Sequence, residues 1–144
     1  MDTKVFGYSS KKYDKNHVFN EMLAPTQTVL FDVRTVAEYE GKKVVGSAKR
    51  AGHIPGAKNL FWKEMFYEDD FCRIKSKEEI LDILTAHDVT VEDKMIVYCQ
   101  SHLRSSHSYV VLKSIGVPDV LGYAGSWSEW GSDSEIPVNI SESP

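Results

Sequence analysis

The sequence predicts an α/β fold, an open parallel sheet of about five strands with helices on both faces. Short apolar runs alternate along the chain with longer segments of helical periodicity. These runs are apolar on both faces, as buried parallel strands are. Hydrophobic residues make up 42% and charged residues 26% of the 144 residues, enough for one core. We therefore expect a single domain over residues 1–144, with its core at about 5–131 and a polar, frayed tail at 132–144.

Five segments are candidate strands. The two strongest are residues 29–31, which lead into Asp32, and 95–98, which lead into Cys99. The weaker candidates are residues 5–7, 57–60 and 120–122. Because strands alternate with helical segments, we expect right-handed crossovers between parallel strands.

Two segments carry the strongest helical pattern, residues 76–86 and 105–115. Ser76 and Glu79 form a capping box at the start of the first. Gly116 and Pro118 follow the second and end it. Residues 39–56 are predicted to form a long loop, and Trp127 and Trp130 to pack the last helix against the sheet.

Composition narrows the classes of function. A net charge of −4, from 17 basic and 21 acidic residues, disfavours a nucleic-acid-binding role. No apolar run reaches the roughly 20 residues of a membrane span. Residues 1–13 lack the apolar core of a secretory signal. Two cysteines, Cys72 and Cys99, make no disulfide framework, so we expect a cytoplasmic protein.

Asp32 and Cys99 each follow a predicted strand, and ligands of open parallel sheets bind at that edge. A polar segment and then a helix follow Cys99. A helix N-terminus supplies unpaired N–H groups and a partial positive charge, and Arg104 adds a cation. These features favour the thiolate, which is the nucleophilic form of cysteine. The alternative is a small buried structural cysteine, which the polar segment argues against.

Four ordered motifs resemble those of the rhodanese family. They are Asp32-Val33-Arg34 with Glu38-Tyr39, the G-H-I-P-G-A of residues 52–57, the loop of residues 98–105, and the G-S-W-S-E-W of residues 125–130. The long insert before Gly52 is most similar to the catalytic half of tandem thiosulfate sulfurtransferases. This chain holds one such domain, and a homodimer is left open.

The resemblance implies a thiosulfate sulfurtransferase in which Cys99 accepts a sulfane sulfur as a persulfide. Cyanide or a thiol would then take the sulfur, in a ping-pong scheme. Arg104 would be the second catalytic residue and would bind the anionic donor. Backbone N–H groups of residues 100–105 would hold the persulfide, and no metal or organic cofactor is needed. Candidate substrate-binding residues in the loop are Gln100, Ser101, His102, Leu103 and Ser105.

The length of the loop separates related chemistries. Four residues lie between Cys99 and Arg104, whereas phosphatase and arsenate reductase relatives have five and form a wider cradle. The loop also differs from the C-G-S-G pattern of mercaptopyruvate-type enzymes, which favours thiosulfate as donor. A non-catalytic rhodanese-like binding or regulatory module is the main alternative, although such modules usually lack the cysteine.

Several side chains outside the loop have predicted roles. Asp32 is predicted to brace the loop, and Arg34 is left open between that ion pair and contact with substrate. Glu38 departs from the arginine that some tandem members carry at this position. His53 is predicted to support its own loop through hydrogen bonds. His102 could orient an acceptor as a neutral donor or attract thiosulfate as a cation.

Two further features remain open. The basic cluster is interpreted as a solvated surface, with docking of an anionic substrate or partner as the alternative; its members are Lys42, Lys43, Lys49 and Arg50. Cys72 lies in an acidic, loop-like stretch whose carboxylates disfavour a thiolate. A disulfide between Cys72 and Cys99 has no support in the sequence.

Overall fold

The computed structural model describes residues 15–23 and 28–141. Its helices are α1 (Lys15–Leu23), α2 (Val36–Tyr39), α3 (Lys77–Ala86), α4 (Leu103–Ser114) and α5 (Ser126–Trp130). Its strands are β1 (Val29–Asp32), β2 (Lys58–Asn59), β3 (Phe66–Tyr67), β4 (Asp70–Ile74), β5 (Met95–Tyr98) and β6 (Val120–Gly122). A 3₁₀ helix spans Trp62–Met65.

Four strands form a parallel sheet in the order β2-β1-β5-β6. The register pairs Leu30 with Ile96 and Asp32 with Tyr98, so β1 and β5 end at the same edge. The predicted α/β fold is confirmed. The candidate strand at residues 5–7 lies outside the described residues.

Strands β3 and β4 form a separate antiparallel hairpin that the sequence did not predict. All five residues of β4 are exposed, so no burial pattern marks it as a strand. Cys72 lies in β4, and the expectation of a loop there is wrong. Cys72 is exposed, whereas Cys99 is buried, and neither forms a disulfide.

Alternate residues of β5 face opposite layers. Met95 and Val97 pack in a cluster with residues of α3 and α4, whereas Ile96 and Tyr98 pack in a second cluster with residues of α1 and α5. Period-two alternation along a strand produces this division. Helices therefore cover both faces of the sheet, as predicted. The second cluster contains Trp127 and Trp130, at 1% and 0% exposure, so their predicted packing role is confirmed.

The predicted capping box begins α3. The Ser76 hydroxyl accepts from the Glu79 N–H at 3.2 Å, and the Glu79 carboxylate accepts from the Ser76 N–H at 2.8 Å. Helix α4 begins at Leu103, two residues before the predicted start, with His102 as its N-cap at a φ of 69°. Ser105 therefore lies inside the first turn and uses its hydroxyl elsewhere.

The expectation of a frayed tail is wrong for residues 132–141. His53 and Asn139 exchange backbone hydrogen bonds of 2.8 and 2.9 Å. The Trp130 indole donates to the Pro137 carbonyl at 2.8 Å, and Ile136 and Val138 pack against the second cluster. Because the pairing of His53 with Asn139 joins distant parts of the chain, local composition does not reveal it. Within the described part of the chain, we find no helix long and apolar enough to cross a membrane.

Candidate active site

Cys99 directly follows β5 at the carboxyl edge of the sheet and is 1% exposed. The start of α5 fixes the backbone around it. The Cys99 N–H donates to Ser126 Oγ at 3.3 Å, and the Cys99 carbonyl accepts from the Trp127 N–H at 2.9 Å. The Gln100 carbonyl accepts from the Ser128 N–H at 2.9 Å. The G-S-W segment therefore holds the base of the cysteine loop from the other side of the sheet.

The Cys99 sulfur lies between the apolar core and the first turn of α4. Cys99 belongs to the cluster that packs on α3 and α4. On its polar side, the Ser105 hydroxyl lies 3.5 Å from Sγ, and His102 Nδ1 lies 2.7 Å from Ser105 Oγ. The N–H groups of a helix's first turn have no intrahelical acceptor, so Leu103, Arg104 and Ser105 place such donors directly after the loop.

The remaining loop side chains point in different directions. Gln100 is 9% exposed, and its amide atoms are buried without a hydrogen-bond partner among the described residues. A Cβ on Gly46 would lie 3.0 Å from its Nε2, so Gly46 leaves room for this side chain. Ser101 is exposed, and Leu103 is 74% exposed. Of the predicted loop contacts, Ser105 lies against Sγ, and His102 contacts Ser105.

Arg104 is already engaged by a carboxylate that the sequence did not identify as its partner. Its two terminal nitrogens donate to Glu38 at 2.8 and 2.9 Å. Glu38 also accepts from the N–H and hydroxyl of Thr35, at 3.1 and 2.8 Å. Burial raises the pKa of Glu38, but the bonds from Arg104 and Thr35 outweigh it and bring the pKa to about 2. Glu38 is therefore an anion fixed beside the loop.

A buried ion pair braces the strand ends below the loop. Arg34 is 1% exposed, and it donates to Asp32 at 2.6, 3.0 and 3.1 Å and to the Gly52 carbonyl at 2.6 Å. The Tyr98 hydroxyl donates to Asp32 Oδ2 at 2.8 Å and accepts from the Ile54 N–H at 3.1 Å. Asp32 thus binds both Arg34 and Tyr98, which directly precedes Cys99, in agreement with a bracing role. Arg34 uses Nε and Nη2 in this network, which favours the bracing ion pair, and a contact between Arg34 and substrate stays a prediction.

His53 holds its own loop. Its Nδ1 lies 2.8 Å from the Tyr39 carbonyl, and its ring stacks on the Tyr39 ring at 3.7 Å. The Tyr39 hydroxyl donates to the Ala57 carbonyl at 2.7 Å. Burial lowers the pKa of His53. These contacts agree with a supporting role for His53.

The basic cluster does not form one surface. Arg50 donates to the Ile136, Trp130 and Asp133 carbonyls and so ties the tail to the body. Lys42 pairs with Glu40 at 2.7 Å, and Lys43 and Lys49 are exposed. The interpretation of a solvated surface holds for the three lysines and is wrong for Arg50. Among the described residues, no three histidine, cysteine or carboxylate side chains gather as a metal site.

Fold and site together define a parallel α/β domain that presents a buried cysteine on a strand-to-helix loop. The model of the rhodanese-like domain matches residues 15–133. The chain belongs to the rhodanese-like domain family, and the resemblance carried by the four motifs is confirmed. The sequence does not reveal the partners of Glu38, Tyr98 and Ser126, because each partner is distant in the chain.

Curated relatives are similar over most of this chain. A thiosulfate sulfurtransferase of Pseudomonas aeruginosa is 38% identical over 118 residues, which are 82% of this chain and 42% of that protein. A putative thiosulfate sulfurtransferase SseA of Mycobacterium leprae is 40% identical, over 80% of this chain and 40% of that protein. The sulfur carrier protein TtuD of Thermus thermophilus is 40% identical, with 76% and 40% covered. The chain thus spans about two fifths of these relatives.

Solved structures show the same fold. An EanB variant in complex with ergothioneine superposes with a TM-score of 0.80 at 26% identity, covering 91% of this chain and 32% of that chain. A second EanB variant, in complex with hercynine, also gives 0.80 at 26% identity.

Proposed function

We propose that this protein is a sulfurtransferase that moves a sulfane sulfur from thiosulfate or a similar donor to a thiophilic acceptor, through a persulfide on Cys99. The observation that carries the proposal is the position of Cys99 Sγ, held 3.5 Å from the Ser105 hydroxyl at the start of α4. The names of the curated relatives support the same activity. An unpaired thiol stays reactive in a reducing cytosol, and we place the protein there.

The proposed reaction has two steps. Cys99 gives up its thiol proton to a base and attacks the outer sulfur of thiosulfate, a sulfur–sulfur bond forms at Sγ, and sulfite leaves with the electron pair of the broken bond. Cyanide or a thiolate then attacks the outer sulfur of the persulfide, and Cys99 leaves as a thiolate. First-turn N–H groups of α4 suit the anionic persulfide. Arg104 supplies a cation beside the site, and Glu38 fixes its orientation.

Intact-protein mass spectrometry tests this function. Thiosulfate is expected to add about 32 Da, one covalently bound sulfur, to the wild-type protein and to Cys72→Ser. The Cys99→Ser variant is expected to gain no mass and to form no thiocyanate from thiosulfate and cyanide. Cyanide added after thiosulfate should return the wild-type protein to its starting mass. A wild-type protein that gains no sulfur from any donor of a panel would refute the function.

The low exposure of Cys99 favours a second candidate, a domain that binds a partner without turnover. At 1% exposure, Cys99 offers little surface to a donor. The same mass measurement separates the two functions. A binding module would keep its mass in the presence of thiosulfate and of persulfide donors, whereas a sulfurtransferase would load sulfur from at least one of them.

A further inference from the structure

Three side chains form a continuous hydrogen-bonded path that ends at the sulfur. Cys99 Sγ lies 3.5 Å from Ser105 Oγ, and Ser105 Oγ lies 2.7 Å from His102 Nδ1. A hydroxyl carries a single proton, so Ser105 donates in one direction and accepts from the other. With a thiol at Cys99, the S–H donates to Oγ and the hydroxyl donates to Nδ1. With a thiolate, both directions reverse and every group stays paired.

We propose that His102, acting through Ser105, is the base that takes the proton of the Cys99 thiol as Sγ attacks the sulfur donor. The inference rests on the proposed function and names the residues that activate its nucleophile. The S–H bond breaks as a new Oγ–H bond forms on Ser105. The former O–H bond of Ser105 breaks as an Nδ1–H bond forms on His102. The electron pair left on sulfur makes the bond to the outer sulfur of the donor.

The structure fixes the His102 ring rather than leaving it at the surface. His102 has a φ of 69°, in the left-handed region, and its Nδ1 lies 2.7 Å from Ser105 Oγ. The ring lies on Gly122 at the end of β6, where an added Cβ would come within 2.2 Å of His102 Cε1. Gly122 therefore provides the space in which the ring sits, and any larger residue would displace it. A histidine that only faced solvent would need neither feature.

The surroundings of His102 suit a neutral base. Burial lowers the pKa of His102, so at neutral pH the imidazole can accept a proton. The charged groups around the loop are already paired: Arg104 on α4 with Glu38 on α2, and Asp32 at the end of β1 with Arg34. From β6, the ring meets the uncharged Gly122. The hydrogen-bonded path from His102 through Ser105 ends at the Cys99 thiol, which is the proton donor.

Alkylation of Cys99 by iodoacetamide across pH 5.5–10 tests the proposal without any sulfur donor. All proteins carry Cys72→Ser, so that one thiol reacts. The test variants are Ser105→Ala and His102→Asn, since asparagine tolerates a positive φ. The matched controls are Ser106→Ala, the neighbouring hydroxyl, which donates to the Leu103 carbonyl, and His107→Asn on the exposed side of α4.

At pH 7, the two test variants should react at least about tenfold more slowly than the parent, in the range of general-base effects. Above about pH 8.5, where an ordinary thiol ionises unaided, the rates should converge. The controls should follow the parent throughout. Equal rates at pH 7, or a deficit that is the same at every pH, would overturn the proposal, because lost structure lowers the rate without changing the pH profile.

A measurement on the parent protein covers the case in which a variant fails to fold. If a proton moves between Ser105 and His102 during the reaction, D₂O should slow alkylation of the parent more than it slows alkylation of a free thiol such as N-acetylcysteine at matched pD. Equal slowing would contradict the proposal. Failure of the proposed function would look different. In that case thiosulfate would add no mass, while the pH profile of alkylation would still depend on His102.

Discussion

Glu38 and Arg104 are joined by two parallel hydrogen bonds of 2.8 and 2.9 Å, which tie α2 to the first turn of α4 beside Cys99. The arginine expected to bind an anionic donor thus already holds a protein carboxylate. The Glu38 side chain is 3% exposed and that of Arg104 is 24% exposed. Glu38 therefore orients the guanidinium and also offsets its charge. A dianionic donor has to share Arg104 with this carboxylate or displace it.

Replacing Glu38 with glutamine should strengthen thiosulfate binding. The amide oxygen still accepts one hydrogen bond from Arg104, but the negative charge that competes with the donor is gone. We expect the KM for thiosulfate to fall about threefold to tenfold, a gain of roughly 1 kcal/mol in binding. Thiocyanate formation at varied thiosulfate concentration measures this. Glu40→Gln, which removes a carboxylate paired with the exposed Lys42, is the control and should keep the parent KM.

The same carboxylate should govern stability in acid. The pKa of Glu38 is about 2 when folded and about 4.3 in an unfolded chain. The folded state therefore binds fewer protons between these values, so the contribution is complete above pH 4.3 and lost as pH falls towards 2. Allowing for solvent screening of Arg104, we expect about 1–2 kcal/mol. In urea titrations, the deficit of Glu38→Gln against wild type should shrink below pH 4.3. A deficit that is constant with pH would contradict this.

The sequence predicts the fold well where periodicity and local motifs determine it. The capping box of Ser76 and Glu79, the strand before Cys99 and the packing of Trp127 all follow from neighbours in the chain. The rest depends on contacts between distant residues. Glu38 meets Arg104 across 66 positions, and Arg50 reaches Asp133 and Ile136 in the tail across 83 and 86 positions. No local sequence pattern identifies Arg104 as the partner of Glu38, or the tail as the partner of Arg50.

The hydroxyl of Tyr98 should contribute measurably to stability. It donates to Asp32 and accepts from the Ile54 N–H, and all three groups are buried. Tyr98→Phe keeps the ring but leaves the Ile54 N–H without its acceptor, which costs about 1–3 kcal/mol. The urea midpoint should fall with an unchanged m-value. Tyr67→Phe, which removes a hydroxyl bonded to Glu79 near the surface, should stay near the parent midpoint. Equal urea midpoints for the two variants would show that the Tyr98 hydroxyl does not contribute to stability.

Alanine substitutions at Gly52 and at Gly56 distinguish the cost of backbone strain from the cost of a clash with the tail. Both have a positive φ, 106° and 82°, so alanine at either position costs about 1–2 kcal/mol. A Cβ on Gly56 meets nothing within 4 Å, whereas one on Gly52 would lie 2.1 Å from the Asn139 carbonyl oxygen. Gly52→Ala should therefore lower the free energy of unfolding by about 1 kcal/mol more than Gly56→Ala does. It should also speed hydrogen exchange at the paired amides of His53 and Asn139, which Gly56→Ala should leave protected. Equal losses, with both amides still protected, would mean that the tail does not depend on Gly52.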